Sequence, residues 1–294
     1  MQNVVISDTD SVYISLGPIL EHIKSQDIEI NDINKNEIIL KLATQIQNES
    51  NANLDNISKD LFNIKPGTHY FQLKQEVICT GLLTTGKRRY AMYVTNKEGV
   101  PVEELDMKGL ELMKSNMSKL FKKFGENLIK DILFGKSKEE IDNEIIKFYK
   151  SLKTMDPRTL GKPTGVKQIS SYHIPARAGE MFSSFRLKAP SNTKAAVRYN
   201  DLLKFKKLDK KYESIIEGDK LFIINLKQNP YNIETIGLPN AKTPPEIEEF
   251  IKAYIDVDEI FESLLGNKLK NLYLDLNWEF PSLNSNVKKF FAFN

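Results

Sequence analysis

Two carboxylates stand one residue apart near the start of the chain, in Val4-Val5-Ile6-Ser7-Asp8-Thr9-Asp10-Ser11-Val12-Tyr13-Ile14. Runs of β-branched and aromatic residues at 4–6 and 12–14 flank the polar centre, which predicts a β-hairpin bending between Ser7 and Ser11. In an extended bend Asp8 and Asp10, at i and i+2, leave the same face. Paired carboxylates repel, and a divalent cation relieves them. Mg²⁺ suits the pattern: a hard ion held by one or two carboxylates, its other positions taken by water and substrate phosphate. A solvated Asp/Thr/Ser turn is the plain alternative.

A second group that could do chemistry is Gly86-Lys87-Arg88-Arg89-Tyr90. The preceding Gly81-Leu-Leu-Thr-Thr-Gly86-Lys87 is one residue short of a phosphate-binding loop. Arg88 follows where a hydroxyl is needed, and a strand follows instead of a helix. What remains is three cations and an aromatic entering a strand, with Arg88 and Tyr90 on one face. A guanidinium can fork onto a phosphate, and a tyrosine can pack on the adjoining nucleotide. A charged end of an edge strand is the plain alternative.

The elements that carry these groups follow from periodicity. Residues 17–66 read as helices, with Ile38, Ile39, Leu42 and Ile46 at helical spacing and a polar break at Asn48 to Asn56. Tyr70 to Val94 reads as strands, and Asn96-Lys97-Glu98-Gly99 as a hairpin turn. From about 106 the period turns helical, in one stripe from Leu110 through Met113, Met117, Leu120, Phe121, Phe124, Leu128 and Ile132. Ser137 with Glu140 is a capping box opening a second helix. Residues 154–192 are loop-rich and basic. A helix is predicted near 193–205, a strand at 220–226, and a helix at 244–265 started by Thr243-Pro244-Pro245. The fold class is α+β.

Composition narrows the setting. The 294 residues are 40% hydrophobic and 28% charged, a globular composition. No apolar run approaches a membrane span, no signal peptide is seen, and the single Cys79 fits a reducing cytoplasm. His22, His69 and His173 are too far apart in sequence to suggest zinc. Residues 1–66 set five Lys/Arg against ten Asp/Glu, residues 67–212 set 29 against 16, and residues 213–294 set eight against 13. A basic middle between acidic ends is the signature of a phosphate-backbone track.

The Asp-Thr-Asp-Ser hairpin, followed some 75 residues later by Lys87-Arg88-Arg89-Tyr90, resembles family B DNA polymerases. There these are motif C, which carries catalytic metal, and the Lys-x-Tyr motif, which grips the primer strand. Met107-Lys108-Gly109-Leu110-Glu111 with Lys114-Ser115 is similar to the palm-to-thumb junction of T-even-type phage replicative polymerases. Lys188-Ala-Pro190, Lys194 and Tyr199-Asn200 resemble the thumb segment that tracks the duplex, departing from it at Asn192 and Lys194, where His and Arg are usual. Glu217-Gly218-Asp219-Lys220 and Asn229-Pro230-Tyr231 through Gly237-Leu238-Pro239 look like the thumb tip. Phe290, Phe291 and Phe293 are similar to a C-terminal peptide that binds the sliding clamp.

The resemblance implies an antiparallel palm-type sheet with helices (1–109), a mainly helical thumb with a small β element (110–284) and a clamp-binding tail (285–294). It implies two-Mg²⁺ nucleotidyl transfer, with Asp10 the main ligand and Asp8 a weaker one. It implies DNA contacts from Ser11, Lys87, Arg88, Tyr90, Lys114, Ser115, Lys188, Lys194, Tyr199 and Asn200. The exonuclease, the fingers and the motif A Asp of such an enzyme are not in this sequence. The expectation is therefore the C-terminal part of a split polymerase. Its partners would be an N-terminal chain, primer–template DNA, dNTP and the clamp, in the host bacterial cytoplasm if phage-encoded. A non-catalytic DNA- or clamp-binding module, or a recombinant fragment, would be the alternative.

Overall fold

The computed structural model describes residues 4–8 (of Asp8 the backbone only), 11–26, 28–30, 34–65, 67–110 and 117–283. The fold is α+β, with small antiparallel sheets among helices. Packing divides the chain into two units. The first holds 1–80 and 94–104, the second 81–93 and 105–294. The division runs through the central sheet, and not at residue 109.

In the first unit, β1 (Val4–Asp8) and β2 (Ser11–Ile14) form the expected antiparallel hairpin, with a bulge between Val4 and Ile6. Helix α1 spans Gly17–Lys24 and α2 spans Lys35–Phe62. The polar run 48–56 does not break α2 as expected. Side chains in it and just before it are used instead: Gln47, Asn51 and Asp55, each four residues on and so on one helix face, hold the chain at 69–75. Asn51 donates to the Leu73 carbonyl (2.9 Å) and accepts from the Leu73 N–H (2.7 Å). Gln47 accepts from the Gln75 N–H (2.7 Å). His69 Nε2 lies 2.7 Å from Asp55 Oδ1, while His69 Nδ1 accepts from the Phe71 N–H. That acceptor role fixes the proton on Nε2, which donates to Asp55.

The central meander is β3 (Val77–Gly86), β4 (Arg89–Lys97) and β5 (Val100–Lys108), in the order β3-β4-β5, and each strand has residues in both units. Two-residue links allow only antiparallel pairing. The β4–β5 link, Glu98-Gly99, has φ of +51° and +88°, the pattern of a type I′ turn. Central β4 is covered on both faces over Ala91–Val94.

The second unit carries the apolar core. Helices α3 (Lys119–Leu133) and α4 (Lys138–Leu152) pack through Phe121, Leu128, Ile141, Ile145 and Leu152, all sealed from solvent. Phe124 stacks on Phe148 at 3.9 Å, and the capping box at Ser137 and Glu140 forms as read. The helical period does not set in at about 106, because β5 runs to Lys108; residues 111–116 lie outside the described set, and the described helix α3 spans Lys119–Leu133.

Short elements follow: α5 (Pro157–Leu160), β6 (Lys162–Gly165), α6 (Ile169–Tyr172), β7 (His173–Ile174) and β8 (Ser184–Phe185). Helix α7 (Ser191–Phe205) lies on the antiparallel sheet β10-β9-β6, with β9 at Lys220–Asn225 and β10 at Thr235–Pro239. The approach is close: a methyl on Gly237 would sit 3.2 Å from the Ala195 carbonyl. The helix expected at 244–265 is divided. α8 (Pro245–Tyr254) ends where Ile255 bridges to Leu226, and Asp256 caps α9 (Val257–Phe261). A π-helical turn (Glu262–Gly266) leads into α10 (Asn267–Asp275). Two tyrosines tie this end to α4: Tyr149 donates to Asp258 (2.5 Å) and Tyr273 to Asp142 (2.7 Å). Burial, aided by Asp258, pushes the Tyr149 hydroxyl up to about 12.

Candidate nucleic-acid interface

The hairpin β1–β2 pairs Ser7 with Val12 and Asp8 with Ser11, so the two strands close on Thr9 and Asp10 alone. The strands thus extend further into the polar centre than the bend expected at 7–11. Thr9 and Asp10 themselves lie outside the described residues, as does the side chain of Asp8. Ser11 is exposed. Among the described residues no three His, Cys, Asp or Glu side chains gather in a metal-holding group. What this chain's sequence offers a hard cation is two carboxylates on a tight hairpin, which suits Mg²⁺ in kind but is only part of a two-metal ligand set.

The Lys-Arg-Arg-Tyr group belongs to the second unit and is built on the β3–β4 turn. Lys87 and Arg88 form the two-residue link, and both are exposed. Arg88 has φ +59°, a left-handed backbone that costs a non-glycine residue roughly 1–2 kcal/mol. Such an outlier persists only where its surroundings hold it. Gly109, at the end of β5 with φ +67°, lies against the Arg88 carbonyl so closely that a methyl there would collide with it. Gly109, which the resemblance puts in the palm-to-thumb junction, thus also braces this turn.

The three cations are not equivalent. Arg89 folds back and donates to the Thr85 carbonyl at 3.1 Å. It lines a cleft of about 50 Å³ with Thr85, Leu110, Lys268, Asn271 and Asp275. Arg89, itself exposed, is therefore tied back along β3, and Lys87 and Arg88 form the tip of the turn. Tyr90 is half-buried, with the Lys108 ammonium 5.8 Å from its ring centre.

The residues from Lys188 to Asn200 that the resemblance sets on DNA separate in the same way. Lys188 is exposed, with φ +63°, and Lys194 is half-buried on the first turns of α7. Tyr199 is not at the surface: its ring is fully buried in the core, and burial pushes its hydroxyl up to about 12. Asn200 is half-buried, and its amide is used twice on Ile215, donating to the carbonyl and accepting from the N–H, both at 2.8 Å. Both residues thus work inside the fold, where sequence reading expected them on DNA. Asn192 donates to the Gly165 carbonyl at 2.8 Å. Lys114, Ser115, Phe290, Phe291 and Phe293 lie outside the described residues.

A buried polar network unforeseen in the sequence holds β7 and β8 to α7. Ser183 donates to Asp201 Oδ1 (2.7 Å) and its N–H to Oδ2 (3.0 Å). Arg198 bonds the Ser183 carbonyl and Asp201, and its guanidinium lies 4.7 Å from the Phe185 ring centre. With its hydroxyl proton on Asp201, Ser183 accepts from His173 Nε2 at 2.9 Å. That orientation turns the Ser183 hydroxyl away from nucleophilic use and makes the group a clamp on the segment leading to Lys188. The only sequence signal was the i, i+3 spacing of Arg198 and Asp201.

A sequence model of the divergent family B DNA polymerases matches residues 1–153, slightly more than half of the chain. The chain belongs to this family. The matched stretch contains the β1–β2 hairpin, α2, the whole meander with its Lys-Arg-Arg-Tyr turn, and the helix pair α3–α4. No curated protein sequence matches the chain. A DNA polymerase family implies DNA as a partner. Among the described residues no helix is long and apolar enough to cross a membrane.

Proposed function

We propose that this chain supplies the second half of the palm and the thumb of a phage-type family B DNA polymerase whose motif A Asp, fingers and exonuclease are on another chain. The observation that carries the reading is the hairpin register. Asp8 pairs with Ser11, which leaves Asp10 in a two-residue link between strands that lie within the stretch matched to the polymerase family.

In this reading Asp10 is the main ligand for Mg²⁺ and Asp8 a weaker one, and a partner-chain Asp completes the set. Bound there, two Mg²⁺ would activate the primer 3′-hydroxyl and clamp the triphosphate. The chain's own residues position the DNA. Lys87 and Arg88 take primer-strand phosphates, Tyr90 packs beside the same strand, and Lys114, Ser115, Lys188 and Lys194 follow the backbone further along. Ser11 lies beside the primer terminus. Phe290, Phe291 and Phe293 dock on a sliding clamp. Alone the chain binds primer–template but does not extend it, because half a carboxylate set cannot hold two metals.

The test is primer extension by the complex reconstituted with the chain that carries motif A. Asp10→Asn abolishes extension while primer–template affinity stays within about twofold, since no phosphate contact is removed. Asp8→Asn is milder. Equal extension by wild type and Asp10→Asn ends the metal-ligand assignment.

A further inference from the structure

The segment 70–76 runs into β3 with no turn or bend, yet it has no strand partner among the described residues. Its main-chain hydrogen bonds alternate. The N–H groups of Phe71, Leu73 and Gln75 are taken by side chains of His69, Asn51 and Gln47, and the Leu73 carbonyl by Asn51. An extended chain points successive main-chain groups to opposite edges. One edge is therefore satisfied by α2, whose amides stand in for a neighbouring strand. On the other edge the N–H and C=O groups of Tyr70, Gln72 and Lys74 have no partner among the described residues. The β4–β5 turn closes that edge only at Glu76, whose carbonyl accepts from the Glu98 N–H at 2.7 Å.

Donors and acceptors alternating at strand spacing are matched only by another extended polypeptide. A nucleic-acid backbone offers acceptors and would leave the three carbonyls bare. The side chains narrow the choice further. Set Tyr70-Phe71-Gln72-Leu73-Lys74 antiparallel to itself about Gln72 and every cross-strand pair is favourable. Gln72 meets Gln72 of the second copy, amide to amide. Tyr70 meets Lys74, a ring facing an ammonium. Phe71 meets Leu73, an apolar contact in the closer, non-hydrogen-bonded positions. The Lys74 charge is shared with Glu98 at 3.0 Å, so no bare like charges are opposed. The Tyr70 ring is 100% exposed and Phe71 53% exposed, surface that such pairing would cover.

We infer that residues 70–74 are a self-complementary strand edge through which two copies of this chain pair antiparallel, with Gln72 on the two-fold axis. Hydrogen-bonded pairs at Gln72 and at Tyr70–Lys74 exchange both main-chain bonds. The seam is short, below the roughly 1,200 Å² of a stable interface, so the dimer is weak and concentration-dependent.

Sedimentation velocity of the full chain over a concentration series reads the equilibrium, and amide hydrogen exchange locates it. Rising concentration is expected to shift the chain from monomer to dimer. Exchange should slow at Tyr70, Gln72 and Lys74 and stay unchanged at Leu73 and Gln75, which are already bonded. Gln72→Pro removes the central donor at a position whose N–H the fold does not use. It is expected to raise the dissociation constant at least about tenfold. Tyr70→Ala, which leaves every main-chain group in place, should raise it less. A chain that stays monomeric at all concentrations overturns the inference, and so does a dimer that Gln72→Pro leaves intact. Neither residue belongs to the hairpin or to the Lys-Arg-Arg-Tyr turn, so the outcome is independent of the polymerase reading.

Discussion

The two units are held together by different forces. In the second, Phe121, Leu128, Ile129, Ile141, Ile145, Leu152, Leu202 and Phe261 are at most 1% exposed, and their burial is the source of stability. In the first, Ile39 and Val94 are buried, while Val4, Val5, Val12, Leu61, Phe62, Tyr70 and Phe71 are exposed. What ties that unit together is largely polar: the amides of Gln47 and Asn51, and the Asp55–His69 pair. Net hydrogen bonds contribute about 0.5–1.5 kcal/mol each, whereas a buried Leu or Phe contributes about 1.5–3. The unit bearing the carboxylates is thus the less self-sufficient one. Its uncovered apolar residues are surface that a second polypeptide could bury.

The largest effect that sharpens this contrast is in stability. Phe121→Ala, in the middle of the sealed core, should cost about 3–5 kcal/mol. Val12→Ser, on the exposed hairpin, should change folding by roughly 0.5 kcal/mol or less. Under the proposed split arrangement it should nevertheless weaken assembly with a chain carrying motif A, since it removes apolar surface that such a partner would cover. Urea unfolding of each variant, with mixing against that chain, reads both. Equal destabilisation by the two substitutions would mean that the hairpin is core and the contrast is false.

Next in size is a binding effect confined to the second unit. Lys87 and Arg88 stand at the tip of a braced turn, while Arg89 is occupied with Thr85. Arg88→Ala should lower the slope of log K against log salt by about one, as expected for one lost phosphate contact. Arg89→Ala should leave that slope nearly unchanged. If Arg89→Ala lowers it as much, the division of labour read from the turn is wrong.

A smaller effect is expected at the C-terminus, where Lys288-Lys289-Phe290-Phe291-Ala292-Phe293-Asn294 sets three aromatics in the last five residues. Deleting 287–294 should leave the melting temperature and short-primer extension by the reconstituted enzyme intact while removing stimulation by a ring-shaped clamp. One phenyl group buried in a clamp pocket contributes about 1.5–3 kcal/mol, so even a short tail matters for a partner. A large drop in melting temperature would make the tail part of the core.

The local signals in the sequence were legible where a local rule decides the structure. The Ser137–Glu140 capping box, the two strands of the first hairpin and the helix at 191–205 are of this kind. Signals failed where tertiary structure overrode them. A run of Asn and Asp from 48 to 56 reads as a break, because those side chains compete with helical backbone bonds. In α2 they bond another segment instead, which no local rule anticipates. The stripe from Leu110 matched helical spacing, but Met107 and Lys108 are claimed by the sheet. Arg198 and Asp201 look like a surface pair on a helix until β7 and β8 close over them. At the site itself, residue types pointed to the turn that carries Lys87 and Arg88. That Arg89 bonds back to the Thr85 carbonyl has no signal in residue type or spacing.

The smallest expected effect tests the boundary between site and core most sharply. The family resemblance implies DNA contacts from both Tyr199 and Lys194. On α7 the two are five residues apart, about 140° around the axis at 100° per residue, so they cannot share one face. The helix must bury one side on β9 and β10, and Ala195, Ala196, Val197, Tyr199, Leu202 and Leu203 are the residues it buries. The Tyr199 hydroxyl sits inside, in the field of Thr243 and Arg158, with its ring sealed from solvent. Tyr199→Phe keeps the ring and removes only that oxygen. The hydroxyl has no hydrogen-bond partner among the described residues, so its removal should leave stability unchanged or raise it by about 1 kcal/mol or less. Primer–template affinity and its salt dependence should not move at all. Tyr199→Ala, by contrast, should cost about 3–5 kcal/mol by opening a cavity under α7. A measurable loss of DNA affinity in Tyr199→Phe, with folding unchanged, would return this tyrosine to the interface. It would also mean that α7 rotates or shifts when the chain meets DNA.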